Sequence, residues 1–405
     1  MKLSVIGASS VATLQLATAV ATMSVDAKVD GSLELFLYAR DEDRLRAVTG
    51  QVATLVADVA SVTSTTSLEQ SLEGAAIVFV QVRVGGLAAR DFDESFPHRA
   101  GLPGEETLGP GGFANALRTI PVLDEIFSSI ATYAPEAFVL VLTNPAGIAR
   151  RAGSSHGLNV VEVCEAPHAL LGLMAQRKGC DLADLFDHYV GMNHVGFYIP
   201  DDEAELEALL DLVPIDADRI LEFQALPLAY VRYYVEPDAQ FNKQRDKPTR
   251  ASELMALEQG ARLKLEKGES PDVTLRPAPW YSLAAMPVLR SLLTQSNERL
   301  LVGTANDARL PSLSFDSTVE GVARIDRTGS VIKSRLRALP SPALALLERH
   351  AHYEDLALTA CREPKEENIL AALRANPMVG DDVSVEPLLE ALLSVVRQSD
   401  VADAR

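Results

Sequence analysis

The sequence predicts an α/β protein, with a doubly wound parallel sheet in its first part and a mixed α+β region in its second. Three observations carry this prediction. Short, continuously apolar runs, such as AFVLVL at 137–142, read as strands buried on both faces. Helical patterns separate these runs, as in consecutive βαβ units. Polar or glycine-bearing turns follow each run, at the strand ends where such sheets bind ligands.

Taken in order, Leu3–Ile6 is the first strand and turns at Gly7. Ser9 or Ser10 can cap the helix expected over Val11–Thr22. Lys2 and the apolar stretch beyond it have the composition of a signal peptide, but a glycine turn between strand and helix fits the strand reading instead. Leu33–Tyr38 is a strand, and Asp41–Thr49 a helix charged on one face. Ala76–Val82 is the next strand, leading into RVGGLAAR at 83–90. GLPGEETLGPGGFANALR at 101–118 reads as a glycine-rich loop that opens backbone amides to a ligand and runs into a helix over Thr119–Tyr133. Ala137–Leu142 ends at TNPAG, and Leu158–Val163 ends at CEAPH. The Gly and Ser content of RRAGSSHG suggests a hinge near 150–160. The second half carries GMNHVGFY (191–198), an acidic helical stretch (201–213), LPLAYVRYYV (226–235) and a basic polar loop (241–250). A strand over 300–307 and C-terminal helices follow. The expected division is a dinucleotide-binding domain over 1–165 and a substrate- and metal-binding domain over 166–405.

The 405 residues are 47% hydrophobic and 23% charged, which is ordinary for a globular protein. A formal charge of −19 argues against non-specific binding of nucleic acid and against an anionic membrane surface. A few local arginines can still serve a small anionic substrate. Three scattered cysteines, Cys164, Cys180 and Cys361, do not make a disulfide framework, and a reducing, cytoplasmic compartment is expected. No apolar run reaches membrane-spanning length.

Several motifs carry chemistry. VIGASS keeps one glycine of the dinucleotide fingerprint, Gly7, with Ser9 and Ser10 beside it. The acid expected at the end of the second strand is absent; Ala39 and Arg40 stand there, leaving room for a 2′-phosphate with Arg40 as its partner. Asn144, after a buried strand, can hold ribose or sugar hydroxyls or simply make an Asn-Pro turn. Cys164 and His194 could each be structural, yet a thiolate with an imidazole suits a borderline divalent metal. By themselves Tyr230, Tyr233 and Tyr234 read as packing, and Arg250 as a solvated charge.

Together, VFVQVRVGG, GLPGEETLGPGGFANALRTIPV, LTNPAGI, the cysteine loop, GMNHVGF, LPLAYVRYY, TRASELMALE and TANDARLPSL resemble glycoside hydrolase family 4, in order and over nearly the whole chain. These glycosidases depend on NAD and a divalent metal and depart from the two-carboxylate mechanism. The resemblance points most to the 6-phospho-β-glucosidase branch. It implies a Rossmann-like, lactate/malate dehydrogenase-like fold, with NAD (or NADP) and a divalent metal, Mn²⁺, as cofactors. The substrate would be a phosphorylated disaccharide or aryl glucoside, and the assembly a dimer or tetramer. Residue by residue, it implies Cys164 and His194 as metal ligands, Tyr230 as the base at sugar C2, and Arg83 and Arg250 as the grip on the 6-phosphate. Asn144 would contact substrate and nicotinamide, and Asn193 would lie in the substrate pocket. The implied chemistry is hydride transfer from C3, metal-assisted loss of the C2 proton, elimination at C1, and return of the hydride.

The sequence departs from the family at Glu165, where Asn or Asp is usual, and at His168, in place of an apolar residue. It departs again at Glu105, where the family has Gln, and at Ala8 and Ser9 in the dinucleotide turn. Glu165 is thereby a candidate general acid or a support for the metal. A 6-phospho-α-glucosidase or other family 4 glycosidase is one alternative. An NAD(P)-dependent 2-hydroxy acid dehydrogenase-like enzyme and a non-catalytic sensor of nucleotide or sugar phosphate are two more.

Overall fold

The computed structural model describes residues 1–27, 33–294, 298–326 and 328–403. Its first half builds β1 (Lys2–Ile6), β2 (Leu33–Tyr38), β3 (Ala60–Thr65), β4 (Ile77–Val80), β5 (Phe138–Val141) and β6 (Asn159–Glu162). They lie in the order β3-β2-β1-β4-β5-β6, and each neighbouring pair is parallel. This is the Rossmann-like order, with its reversal between β1 and β4.

Side-chain alternation along these strands feeds two cores. Leu3, Val5, Ile77, Phe79 and Leu140 pack on one face, with Leu14 and Val48 from the helices Thr13–Ala27 and Glu42–Leu55. Val78, Val80, Val139 and Val141 pack on the other, with Phe113 and Phe127 of the helix Gly109–Tyr133 and Leu347 of the helix Ser341–Arg362. Burial on both faces explains why these strands are apolar throughout.

The second half adds β7 (Tyr189–Met192), β8 (Val195–Tyr198), β9 (Leu226–Pro227), β10 (Arg299–Ala305), β11 (Thr318–Ile325) and β12 (Val331–Lys333), all antiparallel. They join the parallel half through a single registered pair, Gly303 with Glu162. Gly303 leaves the space that the Glu162 side chain fills, since a Cβ there would come within 2.1 Å of it. The sheet is therefore continuous across the two halves.

Four expectations change. Residues 150–160 are not a hinge: Ala146–Ser154 is a helix, and buried Arg150 donates to Thr318 Oγ1 at 2.7 Å and Ser154 Oγ at 3.1 Å. The helix expected from Thr119 starts ten residues earlier, at Gly109. The glycines that read as loop let it pack against backbone; a Cβ at Gly112 would meet Thr107 O at 2.0 Å. The basic loop at 241–250 is half helical, ending one helix (Pro237–Gln244) and starting another at Arg250. The acidic stretch at 201–213 holds only the short helix Glu203–Glu207 and a turn of 3₁₀ helix. Among the described residues no helix is long and apolar enough to cross a membrane.

Candidate active site

A cavity of about 1460 Å³ runs along the carboxyl ends of β1, β4, β5 and β6. Gly7, Ser9, Ser10 and Arg40 line it on the β1–β2 side. Cys164, Glu165, His194 and Tyr230 line it beyond β6, and Arg83, Asn144 and Arg250 also face it. Asn193 alone of the sequence candidates does not.

The thiol and imidazole are presented by different devices. Cys164 follows β6 and is buried; among the described residues only the amide of Ala166 donates to its Sγ, at 3.5 Å. His168, whose role the sequence left open, stands behind this loop. Its Nδ1–H donates to the Cys164 carbonyl at 3.0 Å while its ring packs on Phe186. His194 sits at the tip of the β7–β8 hairpin, with a left-handed φ of 65°. Asn193 Oδ1 accepts the amide of Ala146 at 3.3 Å and faces His194 Nδ1 at 3.0 Å. An oxygen that accepts from Ala146 also accepts from the ring, so Nδ1 carries the proton and Nε2 keeps its lone pair. Asn193 is thus a buried support for the histidine and does not line the cavity.

Burial pushes the Cys164 thiol well above its usual pKa, with the charges of Glu320 and Glu165 adding to it. Burial lowers His194 to about 4 despite the opposing pull of Glu106. The imidazole is therefore neutral, and burial favours the protonated thiol. That donor set fits a borderline divalent metal. Tyr230 stacks edge-on against His194, ring centroids 4.3 Å apart. Burial, then the charges of Glu105 and Glu165, raise its pKa, so it needs a nearby cation to ionise. Glu165 caps the helix Ala166–Lys178 by backbone only; it lines the cavity, and burial raises its pKa.

The arginines form a charged wall. Arg83 and Arg90 both pair with Glu106, Arg90 at 2.9 Å, and Arg90 also binds Glu94 at 2.6 Å. Burial works to raise the Glu106 carboxyl, but the two arginines outweigh it and hold it below the usual range. Arg250 opens the helix Arg250–Glu266 and pairs with Glu253 at 2.8 Å. Thr249 caps that helix, donating its hydroxyl to Asp91 of the helix that carries Arg90. Asn144 precedes a cis proline, and its carbonyl accepts from Asn115 at 3.1 Å.

On the β1 side, Gly7 has φ of 92°, and a Cβ would meet Gln81 O at 2.9 Å. Ser10 Oγ accepts the amide of Ala12 at 3.2 Å within the turn that leads into the helix, which begins at Thr13 and not at Val11 as expected. The sequence reading passed over Arg90, Arg44 and the Trp280–Tyr281 pair, all of which line the cavity. Arg90 shares RVGGLAAR with Arg83, and the second arginine was the available signal. Trp280 is the only tryptophan, in a proline-bounded run, and its neighbour Tyr281 donates to Gln81 at 2.8 Å.

The Family 4 glycosyl hydrolase model matches residues 2–179, and the Family 4 glycosyl hydrolase C-terminal domain matches residues 168–379. A 6-phospho-beta-glucosidase of Thermotoga maritima is 28% identical, over 98% of this chain and 99% of that one. A phospho-alpha-glucosidase of Clostridium acetobutylicum is 26% identical, over 89% and 90%. The Thermotoga structure with NAD and glucose-6-phosphate superposes with a TM-score of 0.88 at 27% identity, covering 98% and 99%. A further structure of that enzyme, holding manganese, NAD+ and glucose-6-phosphate, gives 0.87 at 27% identity, with the same coverage. A lactate dehydrogenase of Trichomonas vaginalis, at 15% identity and a TM-score of 0.54 over 90% of this chain and 98% of its own, shares the fold alone. The chain belongs to glycosyl hydrolase family 4.

Proposed function

We propose that the protein hydrolyses 6-phospho-glucosides, β-linked as the name of the Thermotoga relative implies, using a bound nicotinamide dinucleotide and a divalent metal, Mn²⁺. The observation that carries this is the convergence of Cys164, His194 and Tyr230 in one cavity with the Gly7 turn and two arginines. Residues 1–165 supply the dinucleotide turn with Arg83, Asn144, Cys164 and Glu165, and residues 166–405 supply His194, Tyr230 and Arg250. The Cys164 thiolate and His194 Nε2 would hold the metal, which supplies Lewis acidity toward the sugar hydroxyls, while the dinucleotide supplies a hydride acceptor.

The chain's own groups do the rest. Arg83 and Arg250 grip the 6-phosphate by charge-assisted bonds, Arg83 exchanging Glu106 for substrate. Asn144 orients the sugar against the nicotinamide. Tyr230 removes the C2 proton once it lies beside a cation. Glu165, protonated more readily than an exposed glutamate, passes its proton to the departing aglycone oxygen. Three free cysteines agree with a reducing, cytoplasmic setting. The test is a panel of p-nitrophenyl 6-phospho-α- and β-glucosides, with and without NAD⁺, NADP⁺ and Mn²⁺. Cleavage of the β-compounds only with dinucleotide and metal present is expected. Cleavage of the α-compounds alone would reassign the anomer; undiminished cleavage without either cofactor would overturn the reading.

A further inference from the structure

The β2 side of the cavity has a charge pattern that the proposed function does not require. The amides of Gly7 and Ala8 both donate to the Tyr38 carbonyl at 3.0 Å, stitching the end of β2 to the dinucleotide turn. In a sheet of this order an acid just past that point accepts the adenosine ribose hydroxyls and repels a 2′-phosphate. Here the next residue is Ala39, 5% exposed and without a polar atom in its side chain.

Asp41 and Asp43 also line this end of the cavity, and each is paired with an arginine. Asp41 Oδ1 accepts the amide of Arg44 at 3.0 Å, and its Oδ2 pairs with Arg44 Nε at 3.1 Å. Glu42 and Asp43 both pair with Arg46, at 2.8 and 3.3 Å. Arg40 is exposed, lines the cavity with Ser9, Ser10 and Arg44, and makes no hydrogen bond or ion pair among the described residues. Arg44 is tied to Asp41 through Nε, and its two terminal nitrogens have no partner there. One unpaired guanidinium and part of another thus line the cavity together with Ala39. That arrangement suits a phosphate dianion.

We infer that this end of the cavity selects a 2′-phosphorylated nicotinamide dinucleotide over the unphosphorylated form, with Arg40 reading the phosphate. The inference rests on the dinucleotide reading of the site and adds its specificity.

The experiment is calorimetric binding of NADP⁺ and NAD⁺ to the full chain in Mn²⁺, which needs no turnover. NADP⁺ should bind at least about tenfold more tightly, the range expected of a charge-assisted bond to a guanidinium. Arg40→Ala, at an exposed position, should weaken NADP⁺ by about tenfold or more and leave NAD⁺ within about twofold. Ala39→Asp should reverse the preference. Equal or tighter binding of NAD⁺ by the unaltered chain would overturn the specificity while leaving the dinucleotide reading intact. So would an Arg40→Ala effect of the same size on both ligands. Binding of neither would overturn both.

Discussion

Glu105 stands where the family resemblance leads to the expectation of glutamine, and its surroundings give that difference a measurable consequence. Its carboxyl accepts the amides of Thr107 and Leu108, each at 2.6 Å. Burial, then the like charge of Glu106, raises its pKa from 4.5 to about 7, partly offset by those two amides and by Arg90. Between these values the folded chain holds a proton that the unfolded chain has released. Glu105 therefore contributes stability that is complete below about pH 4.5 and lost as pH rises through about 7. The rise from 4.5 to about 7, at about 1.4 kcal/mol per pH unit, sets a ceiling of about 3.5 kcal/mol. Water in the open cavity screens the charge, so about 1–2 kcal/mol is the working figure. Glu105→Gln keeps an oxygen for both amides and removes the titration. Urea unfolding at about pH 5 and about pH 8, without metal or dinucleotide, measures the difference. The variant should lose about 1–2 kcal/mol less than the unaltered chain between the two conditions. Asp93 and Glu320, also raised by burial, act alike in both proteins and cancel. Parallel loss in the two proteins, within about 0.3 kcal/mol, would refute the argument.

Three further outcomes are expected. Cys164→Ser should weaken Mn²⁺ binding by about 100-fold or more, read by calorimetry, with unchanged circular dichroism; unaltered affinity would remove the thiol from the metal site. Asn193→Ala leaves the His194 Nδ1–H without its acceptor and should weaken Mn²⁺ binding by about 10–100-fold, as loss of a histidine's hydrogen-bonding partner does elsewhere. An unchanged affinity would show that another group fixes the ring. Tyr230→Phe should retain substrate and Mn²⁺ binding and lose solvent deuterium incorporation at C2; persistent exchange would mean another base.

The parts of the fold legible in sequence were those whose burial is uniform. AFVLVL and IVFV announce themselves because both faces are covered. β3 was missed because ASVTST sits at the sheet edge, with small polar residues that are largely accessible. Gly109 and Gly112 read as loop because glycine density is ambiguous until the carbonyls it packs against are known. The metal end was legible through its residue types, yet adjacency to His194 did not reveal which way Asn193 points. Glu106 is distant in sequence from Arg83 and Arg90, so only the fold brings the three together. The supporting role of His168 depended likewise on a contact back to the Cys164 carbonyl.

The central claim is that hydride removal and return accompany glycoside cleavage at the Cys164–His194–Tyr230 centre. It is tested most directly by following one 6-phospho-β-glucoside in D₂O with Mn²⁺ and a substoichiometric dinucleotide. The account predicts many turnovers per dinucleotide, no net accumulation of its reduced form, and deuterium at C2 of the released sugar phosphate. Hydrolysis that proceeds without dinucleotide and leaves C2 unlabelled would contradict it.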